Sequence, residues 1–79
     1  MSVYTGSPIE QAYAHGRDDG YAYGEADMPL GLGTVSDWLR AAKEDVVTAG
    51  SRESRAFALG YLRGYREAVR TLHNGRWGI

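Results

Sequence analysis

The stretch AYAHGRDDGYAYG, residues 12–24, carries a small residue at every fourth position, and AFALGYLRGYREA, residues 56–68, repeats the pattern. An α-helix turns once every 3.6 residues, so each set of small residues lies along one side of a helix. A glycine in a helix interior costs about 1 kcal/mol relative to alanine, and such a cost needs a compensating gain. We therefore predict that these glycines let helix backbones lie in close contact. The predicted helix-packing positions are Gly16, Gly20, Gly24, Gly60 and Gly64.

The two stretches also align as an internal repeat at an offset of 44 residues, which superposes Gly16 on Gly60 and Tyr21 on Tyr65. Duplication and convergence on tight helix packing both explain the repeat. Two helices of this kind are expected either to face each other or to face copies of themselves. The four-residue glycine spacing is similar to that of the glycine-repeat adaptor proteins, whose repeat is much longer, and this resemblance carries over no function.

Length and composition indicate one domain that needs additional stabilisation. The chain has 79 residues and no cysteine, which excludes disulfides and cysteine-based zinc sites. A domain this small buries only about 60% of the surface that its unfolded chain exposes, so its stability is marginal. We therefore expect a homo-oligomer.

The sequence favours a cytoplasmic protein. No apolar run approaches the roughly 18 residues that a membrane span needs, and three charged residues, Arg17, Asp18 and Asp19, interrupt the first glycine stretch. The first nine residues lack the basic and apolar regions of a signal peptide. No membrane partner is expected.

Helix start and stop signals predict an all-α, three-helix domain. The helices are expected over about residues 8–25, 36–49 and 52–73, with a loop over 26–35 and flexible ends at 1–6 and 75–79. Ser7 and Ser51 are predicted N-caps, and Asn74-Gly75 is a predicted stop. The first and third helices are predicted to pack closely as an antiparallel pair.

Apolar residues outside the glycine stretches complete the predicted core. Met28, Leu30 and Leu32 are expected to cover one end of the core from the loop. Trp38 is expected on the buried stripe of the second helix, and Trp77 is expected to fold back on the core.

Charge is divided unevenly along the chain, and this division produces an arginine ridge. Residues 1–50 hold eight acidic and three basic side chains, whereas residues 51–79 hold two acidic and six basic ones. Arginine makes planar, bidentate contacts with phosphates and carboxylates. The arginine ridge is predicted on one face of the third helix, spans about 27 Å at 1.5 Å per residue, and consists of Arg52, Arg63, Arg66 and Arg70. A solvated or ion-paired face is the alternative.

Tyrosine is the second candidate binding residue, since six occur in the chain and five lie in the two glycine stretches or beside them. Tyrosine is enriched at interfaces because an apolar ring carries a polar tip. Tyr21 and Tyr23 cannot both point into the core, so one of them is predicted to be exposed or between subunits. Packing against glycine is the alternative role for these rings.

Catalytic chemistry has little support. Cysteine nucleophiles are absent, no serine has a nucleophile-elbow context, and neither histidine has a sequence-evident nucleophile beside it. His15 with Asp18 and Asp19 offers weak metal ligands at helical spacing, but a solvated acidic face explains the same residues. No catalytic residue, metal site or cofactor is predicted.

Three functions follow from these observations, in order of preference. The first is a non-enzymatic module that binds another protein by stoichiometric association, such as a phage-type inhibitor or accessory protein. The second is binding of nucleic acid or of a phosphorylated small ligand through the arginine ridge. The third is a metal-dependent enzyme that uses His15 and the neighbouring acids.

Overall fold

The computed structural model describes the backbone of residues 6–76 and the side chains of residues 6–73. Three α-helices make up most of the described chain: α1 (Pro8–Asp27), α2 (Leu32–Thr48) and α3 (Arg52–Arg76). No strand occurs in this range, so the predicted all-α class with three helices is confirmed. The expectations for residues 1–5 and for Trp77 lie outside the described residues.

Serine side chains begin the first and third helices, as predicted. The Ser7 hydroxyl accepts a hydrogen bond from the Glu10 backbone N–H at 3.2 Å, and Pro8 occupies the first turn. The Ser51 hydroxyl accepts one from the Ser54 backbone N–H at 3.1 Å. Each cap satisfies a backbone donor that has no partner within its helix.

The loop predicted over residues 26–35 is wrong, because the chain reverses in far fewer residues. α1 continues to Asp27, a single 3₁₀ turn spans Met28–Leu30, and α2 begins at Leu32 and not at residue 36. Gly31 makes this short reversal possible at a φ of 106°, which other residues rarely adopt. The predicted stop at Asn74-Gly75 is also wrong, since α3 continues to Arg76.

The five helix-packing glycines lie at the contact between α1 and α3, which confirms their predicted role. A Cβ atom at Gly16 would meet the backbone carbonyl of Phe57, and one at Gly20 would meet that of Tyr61. From the other side, a Cβ at Gly60 would meet the carbonyl of Tyr13. The glycine strips therefore face each other within one chain.

The direction predicted for this pair is wrong, because α1 and α3 are parallel. Residue numbers rise together along the contact, from Gly16 against Phe57 to Gly24 against Tyr65. The reason is the connectivity: α2 runs back along the bundle, so the third helix repeats the direction of the first. The internal repeat is also in keeping with a parallel arrangement of α1 and α3.

The repeat places equivalent residues in equivalent positions on the two sides of the contact. Gly20 faces Tyr61, and Gly64 faces Arg17. Gly64 is the repeat equivalent of Gly20, and Arg17 is that of Tyr61, so exchanging the two halves turns one contact into the other. This is a local two-fold relation about an axis along the helices, as in the parallel helix pairs that small-xxx-small spacing produces.

The remaining helix, α2, packs on α3. Its Val35 joins Met28 and Tyr65 in the buried core, and the Tyr65 side chain is fully buried. The Tyr65 hydroxyl donates a 2.8 Å hydrogen bond to Asp27 Oδ2, which satisfies its polar end.

Three apolar residues predicted to lie in the core are exposed. Leu30 is 66% exposed and Leu32 is 56% exposed, so of the three predicted end-covering residues only Met28 is buried. Trp38 is 52% exposed. Because the glycine contact draws α1 against α3, α2 packs mainly on α3, and Trp38 lines an open space that it shares with Tyr23 of α1.

Candidate functional site

An open groove lies between α1 and α2, with α3 as its floor. Two adjoining cavities of about 500 Å³ and 420 Å³ occupy it, and both are lined by Trp38, Phe57 and Tyr61. Tyr23 of α1 and Trp38 of α2 stand at its two sides and are 57% and 52% exposed. We call this the aromatic groove, defined by Tyr23, Trp38, Phe57 and Tyr61.

The aromatic rings of the groove are in contact with one another and with the core. The ring centroids of Tyr23 and Tyr61 are 5.9 Å apart, and those of Tyr61 and buried Tyr65 are 6.2 Å apart in a stacked arrangement. His15 meets Phe57 edge to face at 5.8 Å. Ring pairs at these separations attract each other beyond simple burial. The floor of the groove is therefore anchored to the core.

Carboxylates surround these rings. Asp19 and Asp27 lie one helical turn on either side of Tyr23 on α1, and Asp45 lies on the α2 wall. Burial raises the pKa of the Tyr61 hydroxyl, and the nearby charges of Asp27, Asp19 and Asp45 raise it further. Among the described residues that line the two cavities there is no lysine or arginine. The aromatic groove therefore presents a negative potential.

The arginine ridge lies on the solvent face of α3, as expected from its spacing, and all four of its residues are exposed. Arg63 is partly engaged, since its guanidinium donates a 3.0 Å hydrogen bond to the Tyr13 hydroxyl and lies 5.7 Å from that ring's centre. Arg66 and Arg70 line a shallow cavity of about 330 Å³ beside Leu39. Within the described chain, the one arginine in an ion pair with a carboxylate is Arg17.

That ion pair joins α1 to α3 outside both candidate surfaces. Arg17 Nη2 lies 2.7 Å from Glu67 Oε2, and this hydrogen bond raises the pKa of the Arg17 guanidinium. Both side chains are about half exposed, so solvent screens the pair and its contribution to stability is small.

The two candidate tyrosines occupy different environments. Tyr23 is exposed at the side of the aromatic groove, whereas Tyr21 is half-buried and its backbone lies beside Gly64. Tyr21 is not among the residues that line the groove cavities. The two side chains therefore do not both enter the core, as predicted, and Tyr23 is the exposed one.

Two residues of the weak metal alternative, His15 and Asp19, lie near each other. His15 Nε2 lies 3.8 Å from Asp19 Oδ2 across one helical turn. Across residues 6–73, no three histidine or carboxylate side chains come together as metal ligands would.

Sequence reasoning missed the aromatic groove as a unit. Asp19, Tyr23 and Asp27 recur at four-residue spacing, which indicates a shared face of α1, but nothing in the sequence placed Phe57 and Tyr61 beneath it. The missing information was the parallel direction of α1 and α3, which decides which residues of α3 lie below each residue of α1.

Comparison of the chain with protein-family models, with curated proteins and with solved structures gives no significant match. In the part of the chain that the structure describes, none of the helices has the length and apolarity needed to cross a bilayer.

Proposed function

We propose that this chain is a small non-enzymatic module that binds another protein through the aromatic groove. The observation that carries the proposal is the exposure of Tyr23 and Trp38 on the two sides of an aromatic floor. Tryptophan and tyrosine are the residues that contribute most often to the energetic centre of interfaces. Large exposed rings around a concave surface are typical of a binding site.

The shape of the groove favours a helix as the bound element. On the α2 wall the lining residues extend from Trp38 to Ala49, which is about 16 Å of helix axis. This length matches about three turns of a partner helix laid along the floor. Recognition of an amphipathic helix in an apolar groove is a recurrent mode of protein binding.

The test is a comparison of captured proteins between variants of the intact chain. Trp38→Ala removes the α2 side of the aromatic groove, and Val47→Ala removes an apolar residue of the same helix that is 80% exposed and does not line the groove. We expect one protein from the native cell lysate to bind the parent chain and Val47→Ala, and to be lost with Trp38→Ala. Loss with both variants or with neither contradicts the proposal.

The finer parts of the proposal concern the oligomeric state, the cellular location and the biological role. We include self-association, a cytoplasmic location and a phage-type inhibitory or accessory role that acts by stoichiometric binding. The support for self-association is that a small domain without disulfides gains stability when it assembles, and the support for the other two parts is an analogy with compact, cysteine-free phage accessory proteins. Light scattering tests assembly directly: a mass of at least twice 8.7 kDa is expected, and a monomer at high micromolar concentration contradicts it.

The arginine ridge supports a second candidate function, which is binding of nucleic acid or of a phosphorylated small ligand. Its basis is that Arg52, Arg66 and Arg70 are exposed and form no ion pair with any described residue. Phosphate contacts release counterions, so affinity for a nucleic acid should fall steeply with salt. Binding of this kind should be lost with Arg66→Glu and kept with Trp38→Ala, the reverse of what the aromatic groove requires.

A further inference from the structure

We infer that the partner of the aromatic groove is a basic amphipathic helix, whose apolar face covers the rings and whose lysines or arginines meet the carboxylates at the rim. This inference rests on the proposed protein-binding function and specifies the chemistry of the partner. Its first support is charge: among the described residues that line the two groove cavities, the acidic or basic side chains are Asp19, Asp27 and Asp45.

The position of the carboxylates sets the spacing of the partner's basic residues. Asp19 and Asp27 are eight residues apart on α1, which corresponds to about 12 Å along the groove. On a helix that lies along α1, two basic residues seven or eight positions apart cover the same distance. A large apolar residue three or four positions from each would lie at the level of Tyr23.

The aromatic rings add a second reason for a cationic partner. A lysine or arginine over the face of a tryptophan or tyrosine ring is attracted by the negative face of the ring. Tyr23 and Asp19 lie one helical turn apart on the α1 side of the groove, so a cation there can contact a ring and a carboxylate at once. An acidic helix or a nucleic acid would meet repulsion at the same places.

One of the carboxylates, that of Asp27, is held in place by the core. Asp27 accepts the hydroxyl of buried Tyr65 through Oδ2 at 2.8 Å, which fixes that carboxylate at the end of the groove. Asp19 lies beside His15 at 3.8 Å. Fixed carboxylates lose less conformational freedom when a partner binds, which favours the complex.

The test uses two synthetic 18-residue amphipathic helices with the same leucine face, one with two lysines seven positions apart beside that face and one with glutamates there. Binding to the full-length chain is measured by fluorescence anisotropy. We expect the lysine peptide to bind at least tenfold more tightly at low salt, with a difference that shrinks as salt screens the charges. Asp19→Asn and Asp27→Asn should each weaken lysine-peptide binding about two- to fivefold, as for loss of one partly screened charge pair.

A matched control shows whether the groove carboxylates themselves attract the peptide. Glu44→Gln removes one negative charge from an exposed position of α2 outside the groove lining and should leave lysine-peptide binding unchanged. The inference is overturned if the two peptides bind equally or not at all, or if Glu44→Gln weakens binding as much as Asp19→Asn. A dimer that dissociates on Trp38→Ala also overturns it, because a second copy would then fill the groove. If capture of a protein depends on Trp38 while the lysine peptide fails, the binding function stands and only the basic-helix inference falls.

Discussion

Substitution of Gly20 by alanine should destabilise the fold, although alanine is the better helix former. The change adds one Cβ atom, which would meet the carbonyl oxygen and carbonyl carbon of Tyr61, both of them backbone atoms that cannot rotate away. The two helices must therefore separate, and every contact along the seam, which is the glycine-lined contact between α1 and α3, weakens. Overpacking of this kind costs about 1–3 kcal/mol, and the alanine preference returns at most about 1 kcal/mol.

The observable effect is large for a chain of this size. Because the obstructing atoms are backbone, we expect the upper end of the overpacking range, about 3 kcal/mol. After the alanine gain of about 1 kcal/mol, the net loss in the free energy of unfolding is about 2 kcal/mol, which lowers the melting temperature of a domain with 60–100 residues by roughly 8–16 °C. Far-UV circular dichroism during thermal and urea unfolding measures it. Gly33→Ala is the matched control, because Gly33 is also helical and a Cβ there meets nothing within 4 Å.

Close backbone contact at the seam is refuted if Gly20→Ala and Gly33→Ala change the free energy of unfolding in the same way. Gly33→Ala should be neutral or more stable by up to about 1 kcal/mol through helix propensity alone. If Gly20→Ala is also neutral or stabilised, the backbone of α1 does not lie against that of α3. Gly24→Ala should cost less than Gly20→Ala, since its nearest obstacles, the Ala68 Cβ at 2.8 Å and the Tyr65 carbonyl oxygen at 2.9 Å, lie farther away than the Tyr61 carbonyl oxygen does at Gly20.

Three further perturbations test other parts of the structure. Burial raises the pKa of Tyr65, and its hydrogen bond to Asp27 raises it further. The stability contributed by the protonated hydroxyl is therefore fully present below the unfolded pKa of about 10 and is lost as pH rises above it, by about 1.4 kcal/mol at pH 11. Urea titrations at pH 8 and 11 should show this loss, and Tyr65→Phe should reduce it. Ser7→Ala should remove a helix cap and about 1 kcal/mol of stability, seen as a lower urea midpoint. Arg66→Glu should leave the melting temperature unchanged while it shortens retention on a phosphate-bearing cation-exchange column; unchanged retention would mean that the arginine ridge contacts no anions.

The sequence contained the local structure and the identity of the α1–α3 seam, but not the arrangement of the whole. Caps at Ser7 and Ser51 follow from hydrogen-bond chemistry within one turn, and the glycine strip follows from helical periodicity, so both could be predicted. The exposure of Trp38 could not, because it depends on how far α1 is drawn towards α3. The sequence around Gly31 is typical of a longer loop, although one residue at positive φ is sufficient for the reversal.

The candidate site divides in the same way. The arginine ridge could be predicted, since it lies on one face of one helix. The aromatic groove combines residues of three helices, and its floor of Phe57 and Tyr61 depends on the direction of α3 relative to α1. An antiparallel pair would have placed other residues beneath Tyr23.

A seam built from a four-residue repeat does not determine its own alignment. If α1 slid along α3 by one turn, Gly16 would reach the level of Tyr61 and Gly20 that of Tyr65, and glycine would still lie opposite backbone. The contacts that distinguish the native alignment are aperiodic, and the one made by a fully buried side chain is the hydrogen bond from the Tyr65 hydroxyl to Asp27 at one end of the contact. The glycines therefore bring the helices close, whereas aperiodic side-chain contacts such as this one select which of the neighbouring alignments the molecule adopts.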